Sequence, residues 1–568
     1  MGFKSIYRKA FLLIAATALL GSSFFATVNA QPIQPQSAQV ETVKQEKKKW
    51  TVIGYMNGDN NLNDIVLHLI DKIEQNGSSD DVNIVILYDG MKGVKHPFGP
   101  GWDVSKLFYI TKDDNKLEIN SEVLDYIKGE QNMGDTKTLE KLLKVSFEKF
   151  PAERYMLFTM THGNGIIDSK NFPETSKNEQ DVSLSISPDE TSEQQMSQRG
   201  FAQAIKNAIN RYNKGEKLDV VLFFSCLMSM AEVDYSLKDV SDYTLSSENL
   251  IWMLKSHDNS HLRLEGIKFD KLFGTLEKNP DISIEELGKT IVDGSVEVYK
   301  EPLGILSGIG GLRITTWPST LSLKDLGKYN KLVKKMDVFG NVLREKIKDE
   351  EFLLAFHEAV GDSQNYDGGA YRDLCHLIDN IIQNTSDEEV KAIGKDIIKF
   401  VKEDVVLHEN KAGNAVRNSH GISIFMPVYG IVDDFYSQYI DSYKKSQFSK
   451  DTSWDELVEE YQSLMDNGYA NILMGKWEIA YQLKDPKELE NITENIYWDL
   501  RRHILKGDLS QTEKFVDQVS NKKDLEPISG KEYFGYLRET LKDCPKQSGE
   551  VCELKDKLSN LILKFQKY

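Results

Sequence analysis

Residues 218–230, LDVVLFFSCLMSM, limit the possible folds more than any other stretch of this chain. The unbroken β-branched and aromatic run at 220–224 reads as a strand buried on both faces, which places it in a sheet covered by helices on either side. It ends at Ser225-Cys226, and Leu227, Met228, Ala231 and Val233 then follow at helical spacing. Cys226 therefore stands at the carboxyl end of a buried strand, as the chain turns into a helix. Open α/β sheets form their ligand crevice at that edge. A second run of the same kind, 154–160 (RYMLFTM), stops at Thr161-His162-Gly163-Asn164-Gly165. Two neighbouring parallel strands ending at one edge would bring His162 to Cys226.

The rest of the chain supplies the other layers. Residues 50–56 read as a strand, 57–61 (NGDNN) as a turn, 62–73 as an amphipathic helix and 82–88 as the next strand. That order implies a right-handed parallel crossover. Asn132 to Asp135 with Thr136 start a helix through Phe150, and another spans 201–212. Between His162 and that helix, 168–198 is polar and irregular, as in a lid or a cleavable loop. Further on, strands are expected at 242–250, 311–317 and 419–427, and helices at 269–276, 284–299, 323–348 and 371–382. The expected fold is α/β with a mostly parallel sheet, followed by a charged helical C-terminal extension.

A length of 568 residues implies more than one domain. Residues 1–30 have a basic start, an apolar run and Val28-Asn29-Ala30, the pattern of a signal peptide cut after Ala30. Residues 31–47 read as a flexible linker, 48–464 as the α/β domain and 465–568 as the helical extension. No later segment is apolar enough to span a bilayer, so the mature protein is expected to be secreted or periplasmic without stable membrane insertion. A net charge of −18 repels phosphate backbones and argues against nucleic acid as a partner.

Of the four cysteines, Cys544 and Cys552 flank a short loop and are a candidate disulfide in an oxidising compartment. Cys375, on an expected helix, reads as a small buried hydrophobe, whereas the strand-end position of Cys226 marks it as reactive. His257 and His261 stand four apart but lack a third metal ligand. Asp59, Asn60, Asn61 and Asn63 offer oxygens without the spacing of a calcium loop and read as a turn with a helix cap. No residue set is assigned to a metal.

Taken together the motifs resemble the clostripain family of cysteine peptidases. They are Trp50-Thr51-Val52, Tyr55-Met56, Asp59 to Leu62, Asn132 to Asp135, Pro151-Ala152 with Tyr155, His162-Gly163 with Gly165, Ser225 to Met228 with Glu232-Val233, Ser247-Glu248, Asp373-Leu374, and Gly421 to Ser423 with Pro427. The ordered set runs through about 49–460. The resemblance implies a caspase-like three-layer α/β/α sandwich and an endopeptidase acting on protein or peptide substrates. Cys226 would be the nucleophile and His162 its base, with the oxyanion bound by backbone N–H groups of Gly163 and Cys226 and substrate contacts from Phe224, Ser225, Ser247 and Glu248. A Cys-His dyad requires no cofactor; calcium enters only through the resemblance, as does maturation by cleavage near Lys170 or Lys177.

Two positions depart from the family pattern. Phe224 stands where an acidic residue usually receives a basic P1 side chain, and Thr161 replaces an acidic residue before the histidine. A catalytically silent caspase-like binding protein of the cell envelope is the alternative reading.

Overall fold

Alternate residues of one strand belong to different cores. In the strand Leu218–Phe224 (β8), Val221 and Phe223 pack with Leu142, Phe201 and Ile205 on one side, while Val220, Leu222 and Phe224 pack with Val66, Phe273 and Ile291 on the other. The same division holds for Ile53 against Val52 and for Leu157 against Met156. A period of two places neighbouring side chains on opposite faces, so a sheet with both faces covered requires apolar residues at every position. The continuous apolar runs of the sequence have that cause.

The computed structural model describes residues 46–91, 102, 104–115, 118–166, 185–251, 268–300, 318–366, 370–429, 440 and 443–466. The expected signal peptide, most of the linker, the strand at 311–317 and nearly all of the C-terminal extension lie outside these residues. Lys170, Lys177, His257, His261, Cys544 and Cys552 lie outside them too.

A nine-stranded sheet forms the middle layer. In chain order its strands are β1 (Lys48–Gly58), β2 (Val82–Gly90), β3 (Lys106–Tyr109), β4 (Glu122–Leu124), β5 (Ala152–Met160), β8, β9 (Ser241–Ser246), β10 (Ser319–Asp325) and β13 (Val406–Ala412). Their spatial order is β13-β10-β9-β8-β5-β1-β2-β3-β4. The central strands, from β9 through β8, β5 and β1 to β2, are parallel, and the outer ones antiparallel. Helices α1 (Asn63–Glu74), α5 (Phe269–Lys278) and α6 (Ile284–Lys300) cover one face. On the other lie α2 (Thr136–Lys149), α3 (Gln198–Tyr212), α4 (Ala231–Leu237), α7 (Tyr329–Lys346), α8 (Glu350–Asp362), α9 (Leu374–Gln383) and α10 (Glu388–Phe400). The expected α/β/α sandwich is therefore the observed fold.

From β1 the chain winds one way to β2, and from β5 the other way to β8. The crevice of such a sheet opens where the winding reverses, beyond the carboxyl ends of β1 and β5.

The structure corrects four expectations. Residues 323–325 belong to β10 rather than to a helix, and α7 begins only at Tyr329. The misleading residue is Lys324, a charge at a fully buried strand position, where it pairs with Asp234 at 3.5 Å. Tyr371–Asp373 (β12) pairs with Ser423–Phe425 (β14), so the helix expected from 371 starts at Leu374, where Asp373 accepts the His376 N–H at 2.6 Å. Within the polar stretch 168–198, Ser185–Asp189 (β6) and Gln194–Ser197 (β7) form a hairpin. The late strand is limited to Ser423–Phe425.

Candidate active site

β5 and β8 lie side by side and end in step, with Met160 opposite Phe224. His162 and Cys226 each follow two residues beyond that pair. Past Cys226 the backbone turns sharply, with Leu227 at φ +62°, a left-handed conformation unfavourable for a branched side chain. Surrounding contacts impose it: Leu227 N–H donates to Asn249 O at 3.3 Å, Ser229 N–H to Ser247 O at 3.0 Å, and Ser423 N–H to Ser229 O at 2.8 Å. Helix α4 begins only at Ala231, four residues later than its apolar spacing suggested, so no helix N-terminus lies directly at Cys226. Instead the half-buried Cys226 Sγ accepts the Ile251 N–H at 3.3 Å.

His162 faces the β1 turn, where its Nε2 lies 2.6 Å from Asn61 Oδ1. An amide oxygen only accepts, so Nε2 carries the proton and Nδ1 keeps a lone pair. Burial lowers the pKa of this imidazole below its ordinary 6.5. Ser187 N–H donates to His162 O at 3.3 Å beside the bridge between Gly163 and Ile186. In that arrangement the bridged residues form a non-hydrogen-bonded pair, and the Gly163 N–H points away from β6. Gly163 also has no room for a side chain: a Cβ would lie 2.8 Å from Cys226 O and 2.9 Å from Ser225 Cβ. The histidine and cysteine loops thus meet backbone to backbone.

The four expected substrate contacts lie inside the protein. Phe224 packs on Phe269 with ring centroids 5.7 Å apart, and the Ser225 hydroxyl lies 3.3 Å from that of Thr159. The Ser247 hydroxyl donates to Asn249 O at 2.9 Å. Glu248 accepts the Tyr366 hydroxyl and the Gly421 N–H, each at 3.0 Å; burial and the neighbouring Asp373 push its carboxyl well above the ordinary range. Cys375 is a buried thiol of α9, and burial pushes its pKa up.

The profile of the clostripain family matches residues 54–461, which span both halves of this site. The chain belongs to the clostripain family.

As a member it is a cysteine endopeptidase and takes peptide substrates. Clostripain of Hathewaya histolytica is 23% identical over 477 residues, covering 75% of this chain and 85% of that protein. Among solved structures, a secreted cysteine protease from Bacteroides thetaiotaomicron with an irreversible peptide inhibitor is 17% identical, with TM-score 0.47, covering 71% of this chain and 99% of that one. An inactive zymogen protease from Parabacteroides distasonis is 18% identical, with TM-score 0.48, covering 72% and 99%. Among the described residues no helix is long and apolar enough to cross a membrane.

Several residues around this clostripain-family site could not be found from sequence. In the sequence Asn61 reads as an oxygen donor in a turn and as part of the motif Asp59 to Leu62, and its contact with His162 depends on β1 adjoining β5. The Asn60 and Asn63 oxygens are engaged locally, by the Leu62 N–H at 2.9 Å and the Tyr88 hydroxyl at 2.8 Å. Asp59, Asp89 and Asp189 converge beside the histidine loop, with carboxylate oxygens within 4.8 Å of one another. Burial, with the surrounding acidic groups, pushes Asp89 up to about 8, and burial pushes Asp189 up to about 6. No fixed spacing in the chain announces this trio.

Proposed function

We propose that this endopeptidase works through a Cys226–His162 dyad, on exported protein, with a P1 preference for neutral or apolar rather than basic side chains. The supporting observation is the β5–β8 register, which sets both residues two positions beyond paired strand ends at the sheet's crevice. Nδ1 of His162 takes the Cys226 thiol proton, and the sulfur attacks the scissile carbonyl carbon. The Ile251 N–H favours the thiolate, since an anionic sulfur is the better acceptor. Backbone N–H groups of Gly163 and Cys226 receive the oxyanion. His162 then protonates the leaving amine, and water activated by the same imidazole hydrolyses the thioester.

Phe224 underlies the specificity reading. At the position where relatives hold an acidic group, its ring is committed to Phe269 and carries no charge for a guanidinium or ammonium. Export rests on the apolar N-terminal run and the small residues before Gln31.

Intact-mass analysis with thiol-reactive peptidyl probes carrying P1 Arg, Lys, Leu, Phe or Ala tests the reading. One adduct, absent from Cys226→Ala and strongest for Leu, Phe or Ala, is expected on a chain beginning at Gln31. An adduct that persists in Cys226→Ala removes the nucleophile assignment, and preference for Arg removes the specificity reading.

A further inference from the structure

Ser247 and Glu248 belong to a segment that holds the Cys226 turn from beneath. Asn249 O receives the Leu227 N–H, Ser247 O receives the Ser229 N–H, and the Ile251 N–H reaches Cys226 Sγ. A second segment grips the same turn: the Ser229 hydroxyl donates to Gly421 O at 2.7 Å, and Ser423 N–H to Ser229 O at 2.8 Å. The Glu248 carboxyl ties the two segments together, since its Oε2 accepts the Gly421 N–H at 3.0 Å.

Asp373 receives the neighbouring peptide. It accepts the His420 N–H at 2.5 Å, the His420 ring through Nδ1 at 2.9 Å and the His376 N–H at 2.6 Å. Two consecutive backbone N–H groups are thus held by two carboxyl groups, both fully buried and hydrogen-bonded to each other. A bond between two carboxyl groups requires a proton on one of them, and like charges in contact do not both ionise. The surroundings supply no free cation in place of that proton. Lys324 is committed to Asp234, and Lys411 to Glu409 at 3.3 Å. Burial keeps Tyr366 and Cys375 neutral. Burial also lowers His376 and, with Lys402 and Lys411 facing it, His420.

We propose that Glu248 and Asp373 share one proton, and that the protonated pair makes Glu248 a positioning residue that holds the Cys226 turn in its reactive geometry. The inference rests on the reading of Cys226 as the nucleophile. With the proton in place, a single negative charge is spread among the N–H and O–H donors around the pair. When that proton leaves to solvent at alkaline pH, the two carboxylates repel each other. Glu248 rides on the segment that carries the Ile251 N–H, so the repulsion draws this donor away from Cys226 Sγ.

Two readouts on the full chain test the proposal. The first is kcat/KM on a peptide substrate across neutral and alkaline pH, for wild type and for Glu248→Gln, whose amide donates to Asp373 at every pH. A limb contributed by the dyad cancels in their ratio, so the ratio of Glu248→Gln to wild type is expected to rise with pH. The second is the pH midpoint of Cys226 alkylation by iodoacetamide, read by peptide mapping, which needs neither substrate nor His162. Glu248→Ala should raise that midpoint by about one pH unit, the size of one lost hydrogen bond to a charged group, while Glu248→Gln keeps it near the wild-type value. A ratio that stays flat overturns the proposal, and so does a midpoint unmoved in Glu248→Ala. Peptidase activity that persists in Cys226→Ala removes the dyad reading by itself, and the alkylation midpoint then decides whether Glu248 holds the turn. Should Glu248→Ala fail to fold, the ratio decides.

Discussion

The two walls of the crevice are built differently. The Cys226 turn is fixed from beneath by buried groups: Lys324 pairs with Asp234, donates to the Ser229 hydroxyl, and shares Ser229 with β14. The His162 loop is held mainly from the side, by the contact of Asn61 with the His162 ring and the backbone bond from β6, with the buried Tyr371 hydroxyl reaching Asn164 O at 2.6 Å. Under the proposed dyad, a nucleophile would be presented at a fixed, strained angle, whereas a base would exchange a proton with two partners in turn. The first wall therefore takes its order from buried ion pairs and hydrogen bonds beneath it, and the second depends more on hydrogen bonds at the sheet edge.

If this contrast is right, damage to the first wall appears as lost stability and damage to the second as lost activity. The largest effect is expected from Lys324→Met, which strands Asp234 in the interior and costs about 3–5 kcal/mol. Its melting temperature should fall sharply, and adding Asp234→Asn should restore much of the loss. Gly163→Ala comes next. Its methyl group meets Cys226 O at 2.8 Å, so the two loops must part, which costs about 1–3 kcal/mol and lowers kcat/KM about 100-fold, a loss of activity out of proportion to the fall in melting temperature.

Glu232 of α4 gives a smaller effect with a defined sign. Burial raises it from 4.5 to about 7, so the folded protein holds a proton there that the unfolded chain releases. Its stabilising contribution is present at low pH and fades as pH rises towards and through 7. Glu232→Gln lacks that loss and should gain roughly 2 kcal/mol on wild type between pH 5 and pH 8, read as a widening gap between melting curves. The smallest effect belongs to Asn61→Ala. Losing the acceptor of Nε2–H should lower kcat about tenfold with KM unchanged. The acidic limb of the wild-type rate profile should lie below 6.5, because burial depresses His162. In the variant it should move lower still, since the imidazolium loses a partner. An unmoved limb would show that Asn61 merely fills space.

The parallel strands were legible because β1, β2, β5 and β8 are sandwiched between helices and cannot tolerate polar residues, and the ends of two such runs pointed to Cys226 and His162. What escaped were features in which a polar group is buried with a distant partner. Lys324 disguised β10 because its counter-charge, Asp234, lies 90 residues upstream on α4. The start of α4 was misplaced because Leu227 and Met228 are apolar for reasons of the strained turn, not of a helix. Asp89 and Asp189 meet only through the strand order. Phe224 was legible as a departure from the family pattern, but its contact with Phe269 required the packing of α5.

The bond from Ser187 to His162 and the bridge from Ile186 to Gly163 join the two sides of segment 167–184 across space. Ile166 and Ile186, on either side of it, are each 1% exposed and anchored in the same core. Covalent continuity is thus redundant for holding His162 in place: a chain severed within 167–184 would keep His162 gripped by β6 from the other fragment, and the two pieces would behave as one molecule until denatured.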